Sequence, residues 1–221
     1  MKKIICIIPA YNEGKNIYKT VQKVKLYLEN VVVIDDGSSD ETACKAKKAG
    51  AKVLIHPINR GQGAALQTGN EYALLKQADL VVHFDGDGQF LASEINDLVK
   101  PIIENNYDIV FGSRFLEKKS AIPKFKTYII YPLARIVNRI FLQVKTTDPQ
   151  NGFRAMSKEA ILKIKIENNG MAHCSEILYK THLNKLRFKE VPITVIYHHF
   201  GQKFSSGLKI LKDLFVNKLN Q

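Results

Sequence analysis

Leu80-Val81-Val82-His83-Phe84-Asp85-Gly86-Asp87-Gly88-Gln89 is a short apolar run that stops at an acidic, glycine-punctuated turn. Residues 80–84 read as a buried β-strand, because the run is β-branched and too short for a helix. The same pattern recurs on either side of it. Residues 3–8 form an apolar run before Pro9-Ala10-Tyr11-Asn12-Glu13, and residues 31–34 lead into Asp35-Asp36-Gly37-Ser38. Further strands are expected at 52–55, 108–111 and 191–197. Helices are expected at 16–29, from Asp40 as N-cap to about 49, at 63–77 and at 93–104. Strands alternating with helices predict an α/β fold, a mostly parallel Rossmann-like sheet covered by helices on both faces. The polar clusters follow strand C-termini, which is the edge where open α/β sheets bind ligands. Tyr11-Asn12-Glu13, Asp35-Asp36-Gly37, Asn59–Gly63 and Asp85-Gly86-Asp87 are therefore expected to line one crevice.

The chemistry of that crevice follows from residue types. Two carboxylates two residues apart, Asp85 and Asp87, can share one hard cation, with Gln89 as a further oxygen donor. Mg²⁺ or Mn²⁺ favours such oxygen ligands and keeps room for substrate phosphates. A cation there would neutralise a departing diphosphate. The blander reading of an isolated D-G-D is a solvated turn, and its place after an apolar strand argues against that. Asp36 could accept a hydrogen bond from a nucleobase or ribose, or could serve only the turn. The glycines of Asn59-Arg60-Gly61-Gln62-Gly63 would let backbone N–H groups approach an anion. They match neither a dinucleotide fingerprint nor a P-loop.

The 221 residues carry 33 Lys+Arg against 21 Asp+Glu, a formal net charge of +12, which points to a polyanionic partner. The excess is concentrated in the second half. Residues 118–147 hold seven Lys/Arg and no acid. Within them the apolar run 128–144 is interrupted by Arg135, Asn138 and Arg139 on one helical face. That argues against a spanning helix and suggests an amphipathic helix lying on a membrane or a core. Leu208, Leu211, Leu214, Phe215 and Leu219 suggest a second, C-terminal amphipathic helix. Cys6, Cys44 and Cys174 are odd in number and scattered, so a disulfide framework or a zinc site is not expected and a reducing cytosol is. The start, MKKIICIIPAYNE, reads as a first strand, not a signal peptide.

Taken together, I-I-P-A-Y-N-E at 7–13, V-I-D-D-G-S-S-D-E-T at 33–42, N-R-G-Q-G-A-A at 59–65, D-G-D-G-Q at 85–89, G-S-R at 112–114, T-D-P-Q-N-G-F-R-A at 147–155 and E-V-P-I-T-V-I-Y at 190–197 form an ordered set. That set resembles the family-two inverting glycosyltransferases of GT-A fold, within them the dolichol-phosphate mannose synthase group and related polyprenyl-phosphate glycosyltransferases. The resemblance implies that Pro9, Tyr11, Glu13, Ile34 and Asp36 hold the nucleoside. It implies that Asp85, Gly86, Asp87 and Gln89 hold metal and donor, and that Arg114 and Arg135 bind phosphate. Arg139 lies on the same helical face as Arg135, and Asp148 with Gly152-Phe153-Arg154 would lie near the acceptor. One departure concerns the sugar: His198 stands where the mannose synthases carry an arginine.

The expected organisation is a single GT-A catalytic domain: residues 1–115 a nucleotide-sugar-binding half, residues 116–221 an acceptor-side half. The expected reaction transfers a hexose from a GDP- or UDP-sugar to a polyprenyl phosphate. The protein would be peripheral on the cytoplasmic face of an anionic membrane, with no nucleic-acid partner. An ionised phosphate needs positioning and charge neutralisation but no base. A sugar hydroxyl, the alternative acceptor, would need a carboxylate base, for which Glu176 and Asp148 are the candidates. A non-catalytic basic module binding nucleic acid or membrane is the reading from another class. The carboxylates at the ligand edge, which would repel a polyanion, stand against it.

Overall fold

The computed structural model describes residues 2–116 and 146–196. Their elements are β1 (Ile4–Ala10), α1 (Ile17–Lys25), β2 (Asn30–Asp35), α2 (Thr42–Lys48), β3 (Lys52–Ile55), α3 (Gln62–Leu75) and β4 (Leu80–His83). There follow α4 (Ile95–Asn105), β5 (Ile109–Ser113), β6 (Arg154–Ser157), α5 (Lys158–Lys163), α6 (His173–Leu183) and β7 (Phe188–Pro192). They build one seven-stranded sheet in the order β3-β2-β1-β4-β6-β5-β7. All neighbours are parallel except β6, which runs antiparallel to both β4 and β5. Strands from the later half thus complete a sheet begun by the first.

The continuous apolar strands are what a doubly covered sheet requires, and their side chains divide by the two-residue period. Cys6, Ile8, Val31, Val33, Leu80 and Val82 join one core layer with Ile17, Val21 and Val24 of α1, Ala46 of α2 and Leu98 of α4. Ile5, Ile7, Val32, Ile34 and Val81 join the opposite layer with Ala65 and Leu66 of α3, Ile161 of α5 and Ile177 of α6. In α1 the buried Ile17, Thr20, Val21 and Val24 recur at helical spacing, and Lys23 and Lys25 complement its C-terminal dipole. Gly69 lets α3 lie close on β1: a Cβ there would come within 2.3 Å of Ile7 Cγ2.

Two expectations change. Asp40 does not cap α2 from the N-cap position, which is Glu41. Its carboxylate instead accepts from Thr42 N and, across the edge, from Gly14 N, each at 2.9 Å. The last strand is Phe188–Pro192, earlier than the expected 191–197, because it takes its register from β5 with Phe111 opposite Glu190. Among the described residues beyond Pro192, Val195 forms an isolated antiparallel bridge with Phe90. Strand β6 and helices α5 and α6 were not foreseen. The basic amphipathic helix around Arg135 and Arg139, and the C-terminal one, lie outside the described residues, as does His198.

The antiparallel β6 decides the site. Strands β1, β2 and β4 end at one edge of the sheet. A strand running the other way begins there, and Arg154 at its start pairs with His83 at the end of β4. Two residues beyond His83 is Asp85, and two residues before Arg154 is Gly152. The 148–153 loop and the acidic turn are therefore neighbours.

Candidate active site

The acidic turn stands on an aromatic base. Phe84, Phe90 and Phe153 pack with centroids 5.0–5.7 Å apart, and all three are buried. Phe153 was expected near the acceptor. At 0% exposure it instead fastens the 148–153 loop to the core. Above it Asp85 is tightly enclosed. Its Oδ1 accepts from Gln62 Nε2 at 2.9 Å. A Cβ on Gly152 would lie 2.8 Å from its Oδ2, so only glycine leaves this carboxylate its place. Gly86 faces the end of β1, where a Cβ would meet Pro9 O at 3.2 Å, and its carbonyl accepts from Thr20 Oγ1. Asp87 Oδ1 accepts from the backbone N–H of Gln89 at 2.9 Å, which shapes the turn.

This edge is electrostatically loaded. Burial, then the nearby Asp87 carboxylate, pushes the Asp85 pKa up to about 7, against a downward pull from Arg154. Glu13 is raised as well, by burial first, with Asp87 and Asp40 adding to it and a hydrogen bond from Asn16 opposing it. Carboxylates pressed together in this way form a donor set of hard oxygens, which fits Mg²⁺ or Mn²⁺ and not a softer metal. Among the described residues no group of three or more His, Cys, Asp or Glu could hold a metal by itself. A cation held by Asp85 and Asp87 would therefore take its remaining ligands from substrate phosphates and water, as Mg²⁺ usually does.

Beneath Asp85 lies a buried polar group that the sequence did not reveal. Arg154, 1% exposed, donates to Asn151 O at 2.9 Å, Gly152 O at 3.2 Å and Cys174 Sγ at 3.2 Å. It is a buried cation that ties the loop to α6. Burial raises the Cys174 thiol, but His173 and Arg154 outweigh it and bring the pKa down to about 6.

Asp36 is 2% exposed, and its oxygens are bonded within the chain. Oδ1 contacts His56 Nδ1 at 2.6 Å and accepts from Arg60 N at 2.9 Å, while Oδ2 accepts from Gly61 N at 2.6 Å. The anion at the start of α3 is thus this side chain. The glycines there serve a chain crossing, since Gly63 N donates to Asn169 O at 2.8 Å. Ile34 is wholly buried, and its side chain lies in the core. Pro9 is also buried, Glu13 is half-buried and Tyr11 is 49% exposed at the same edge.

On the far side of the turn, Arg114 follows β5 and grips Asp148 through two bonds of 2.6 Å, from Nε to Oδ2 and from a terminal nitrogen to Oδ1. Asn151 Nδ2 also donates to Asp148, at 3.2 Å. Glu190 of β7 accepts from the N–H groups of Thr147 and Asp148, which seats the start of the loop on the sheet. Glu176 was a candidate base. Instead its carboxylate accepts from Glu167 N at 3.0 Å and Asn168 N at 2.9 Å and pairs with Lys180 at 2.8 Å. Burial raises its pKa, but these partners outweigh burial and lower it below the usual value.

A strand-end crevice with a D-x-D turn, on a sheet whose order is 3-2-1-4-6-5-7, defines the chain as a GT-A glycosyltransferase. It belongs to glycosyl transferase family 2, whose pattern it matches over residues 5–165. Among its relatives is the UDP-N-acetylglucosamine–dolichyl-phosphate N-acetylglucosaminyltransferase of Methanococcus voltae, 33% identical over 100% of this chain and 98% of the relative. Another is the dolichol-phosphate mannosyltransferase of Pyrococcus furiosus, 30% identical over 96% of this chain and 62% of the relative. In fold it is similar to glucosyl-3-phosphoglycerate synthase of Mycobacterium tuberculosis, solved with Mn²⁺, UDP and glucosyl-3-phosphoglycerate. The TM-score is 0.77 at 19% identity, over 99% of this chain and 79% of that one. Among the described residues no helix is long and apolar enough to cross a membrane.

Proposed function

We propose that this glycosyltransferase uses a divalent cation to transfer a sugar, with inversion, from a nucleotide sugar to a polyprenyl phosphate at an anionic membrane surface. The observation that carries the choice of acceptor is the state of the two candidate bases. Asp148 is bound bidentately by Arg114, and Glu176 by Lys180 and two backbone N–H groups. Carboxylates so engaged have their oxygens committed within the fold, and an ionised phosphate needs no base. The relatives named for dolichyl-phosphate transfer support the same acceptor class.

In this reading Asp85 and Asp87 hold Mg²⁺ or Mn²⁺, with Gln89 alongside. The cation supplies charge neutralisation for the departing diphosphate. Tyr11 and Glu13 face the nucleoside, with Pro9, Gly86 and the Asp36-held loop forming the floor. Arg114, already oriented by Asp148, presents its guanidinium edge to phosphate. Arg135 and Arg139, outside the described residues, would meet the acceptor phosphate and the membrane. Glycine at 152 keeps the donor carboxylate open to substrate.

The donor is read as a UDP-sugar with an N-acetylhexosamine in first place. The Methanococcus voltae relative matches over its whole length, and His198 departs from the mannose synthases. Incubation with a short polyprenyl phosphate and either UDP-N-acetylglucosamine, UDP-glucose or GDP-mannose tests this. Glycolipid is expected from UDP-N-acetylglucosamine only when Mg²⁺ or Mn²⁺ is present. Product from GDP-mannose alone would refute the donor assignment, and undiminished product in excess chelator would refute the metal.

A further inference from the structure

Gln62 opens α3 between two glycines that the surrounding chain makes irreplaceable. Gly61 has φ +99°, and a Cβ on it would lie 2.3 Å from Asn169 O. A Cβ on Gly63 would lie 1.9 Å from Asn168 O. Each glycine is also pinned by its N–H, Gly61 to Asp36 Oδ2 at 2.6 Å and Gly63 to Asn169 O at 2.8 Å. The Cα of Gln62 is therefore fixed from both sides, and from there its side-chain amide donates to Asp85 Oδ1 at 2.9 Å.

The segment pressing on those glycines, residues 166–170, is itself held at each step. Ile166 N donates to Gln67 Oε1 at 2.8 Å. Glu167 N and Asn168 N donate to the Glu176 carboxylate. Gly170 O accepts from His173 Nδ1 at 2.8 Å. A continuous series of contacts runs from Glu176 through the 167–169 backbone and the Gly61-Gln62-Gly63 turn to Asp85.

We propose that Gln62 is a positioning residue for the Asp85 carboxylate, and that the 166–170 loop anchored by Glu176 holds Gln62 in place. The proposal rests on the reading of Asp85 as a metal ligand. The Gln62 amide bonds one carboxylate oxygen and Gly152 crowds the other, so the carboxylate plane is set before any cation arrives. Groups that orient a metal ligand in this way typically change metal affinity by about ten- to hundredfold when removed. Glu176, which the sequence offered as a base, acts here through the loop.

The test is Mn²⁺ binding in the presence of UDP, read from the electron paramagnetic resonance of free Mn²⁺. Gln62→Leu, of similar size at a half-exposed position, is expected to weaken binding roughly ten- to hundredfold with an unchanged melting temperature. Glu176→Leu is expected to give a similar loss. In the double variant the losses should not add, because both act through one contact. If Glu176→Leu does not fold, Gly63→Ala, which drives a methyl into the Asn168 carbonyl, disturbs the same loop. Wild-type affinity in Gln62→Leu overturns the proposal and leaves the metal reading standing. Absence of Mn²⁺ binding by the unsubstituted protein overturns both. Additive losses, or wild-type affinity in the loop variants, overturn the role of the 166–170 segment.

Discussion

Asp87→Ala is expected to lower sugar transfer by about a hundred- to a thousandfold, the scale on which groups facing developing charge contribute, while leaving the protein folded. Asp87 is one of two carboxylates proposed to hold the cation, and its turn sits at the sheet edge, outside both core layers. The same substitution has a second consequence, for the pH dependence of stability in the metal-free protein. Asp85 is a carboxylic acid whose pKa in the folded protein is pushed up to about 7, by burial first and then by Asp87. Below about pH 4 it is protonated in both folded and unfolded chains and adds no pH dependence. As pH rises from there towards 7 the unfolded chain releases this proton while the folded chain keeps it. The contribution to stability therefore falls through that window and is flat above it. Removing Asp87 takes away part of the repulsion and lowers the folded pKa. The metal-free variant should lose less stability between about pH 5 and 8 than the unsubstituted protein. Thermal melts across that range, together with turnover measurements, check both halves. A wild-type rate, or a steeper loss of stability with pH, would contradict the assignment.

Arg114→Ala is expected to destabilise the protein by about 3–5 kcal/mol, the usual result of breaking a buried ion pair from one side. Arg114 is 14% exposed and Asp148 1%, so the substitution strands a carboxylate that water cannot reach. The Asp148 loop also carries Gly152, whose backbone abuts Asp85, so transfer should fall with stability. Arg114→Ala combined with Asp148→Asn removes the stranded charge and should recover a large part of the stability. It should not recover the transfer rate, because Arg114 is also the proposed phosphate contact. Denaturant unfolding of the single and double variants measures the first effect and turnover the second. A single variant as stable as the parent would show that the pair does not hold the loop.

The first half of the sheet was legible because each strand is a local signal: a β-branched run that ends in a polar turn. Strand β6 was not. Arg154-Ala155-Met156-Ser157 has neither apolar continuity nor alternation, and its insertion between β4 and β5 depends on partners far away in the chain. That insertion sets Gly152 against Asp85, so the motif 147–155 could be assigned to the acceptor region by resemblance while its contact with the donor carboxylate could not. The carboxylates Asp85 and Asp87 were legible by residue type and by place at a strand end. The partners that tune them were not. Gln62 reaches Asp85 through one long-range hydrogen bond that leaves no periodic trace, and the contacts of His56 with Asp36 and of Glu190 with the Thr147 and Asp148 N–H groups are equally non-local. Burial and hydrogen bonding also place side chains in ways that residue type does not show. Phe153 and Ile34 serve the core, and Asp36 and Glu176 bind the protein's own backbone.

The acceptor is the centre of the account, and one comparison tests it most directly: transfer from the preferred nucleotide sugar to a polyprenyl phosphate and to the matching polyprenol, each with a divalent cation present. Asp148 and Glu176, the two candidate bases, are engaged inside the fold and not free to deprotonate an alcohol, whereas the phosphate arrives ionised. The account predicts glycosylated lipid from the phosphate and none from the alcohol. Product from the polyprenol, or from a sugar hydroxyl, with none from the polyprenyl phosphate, would contradict it.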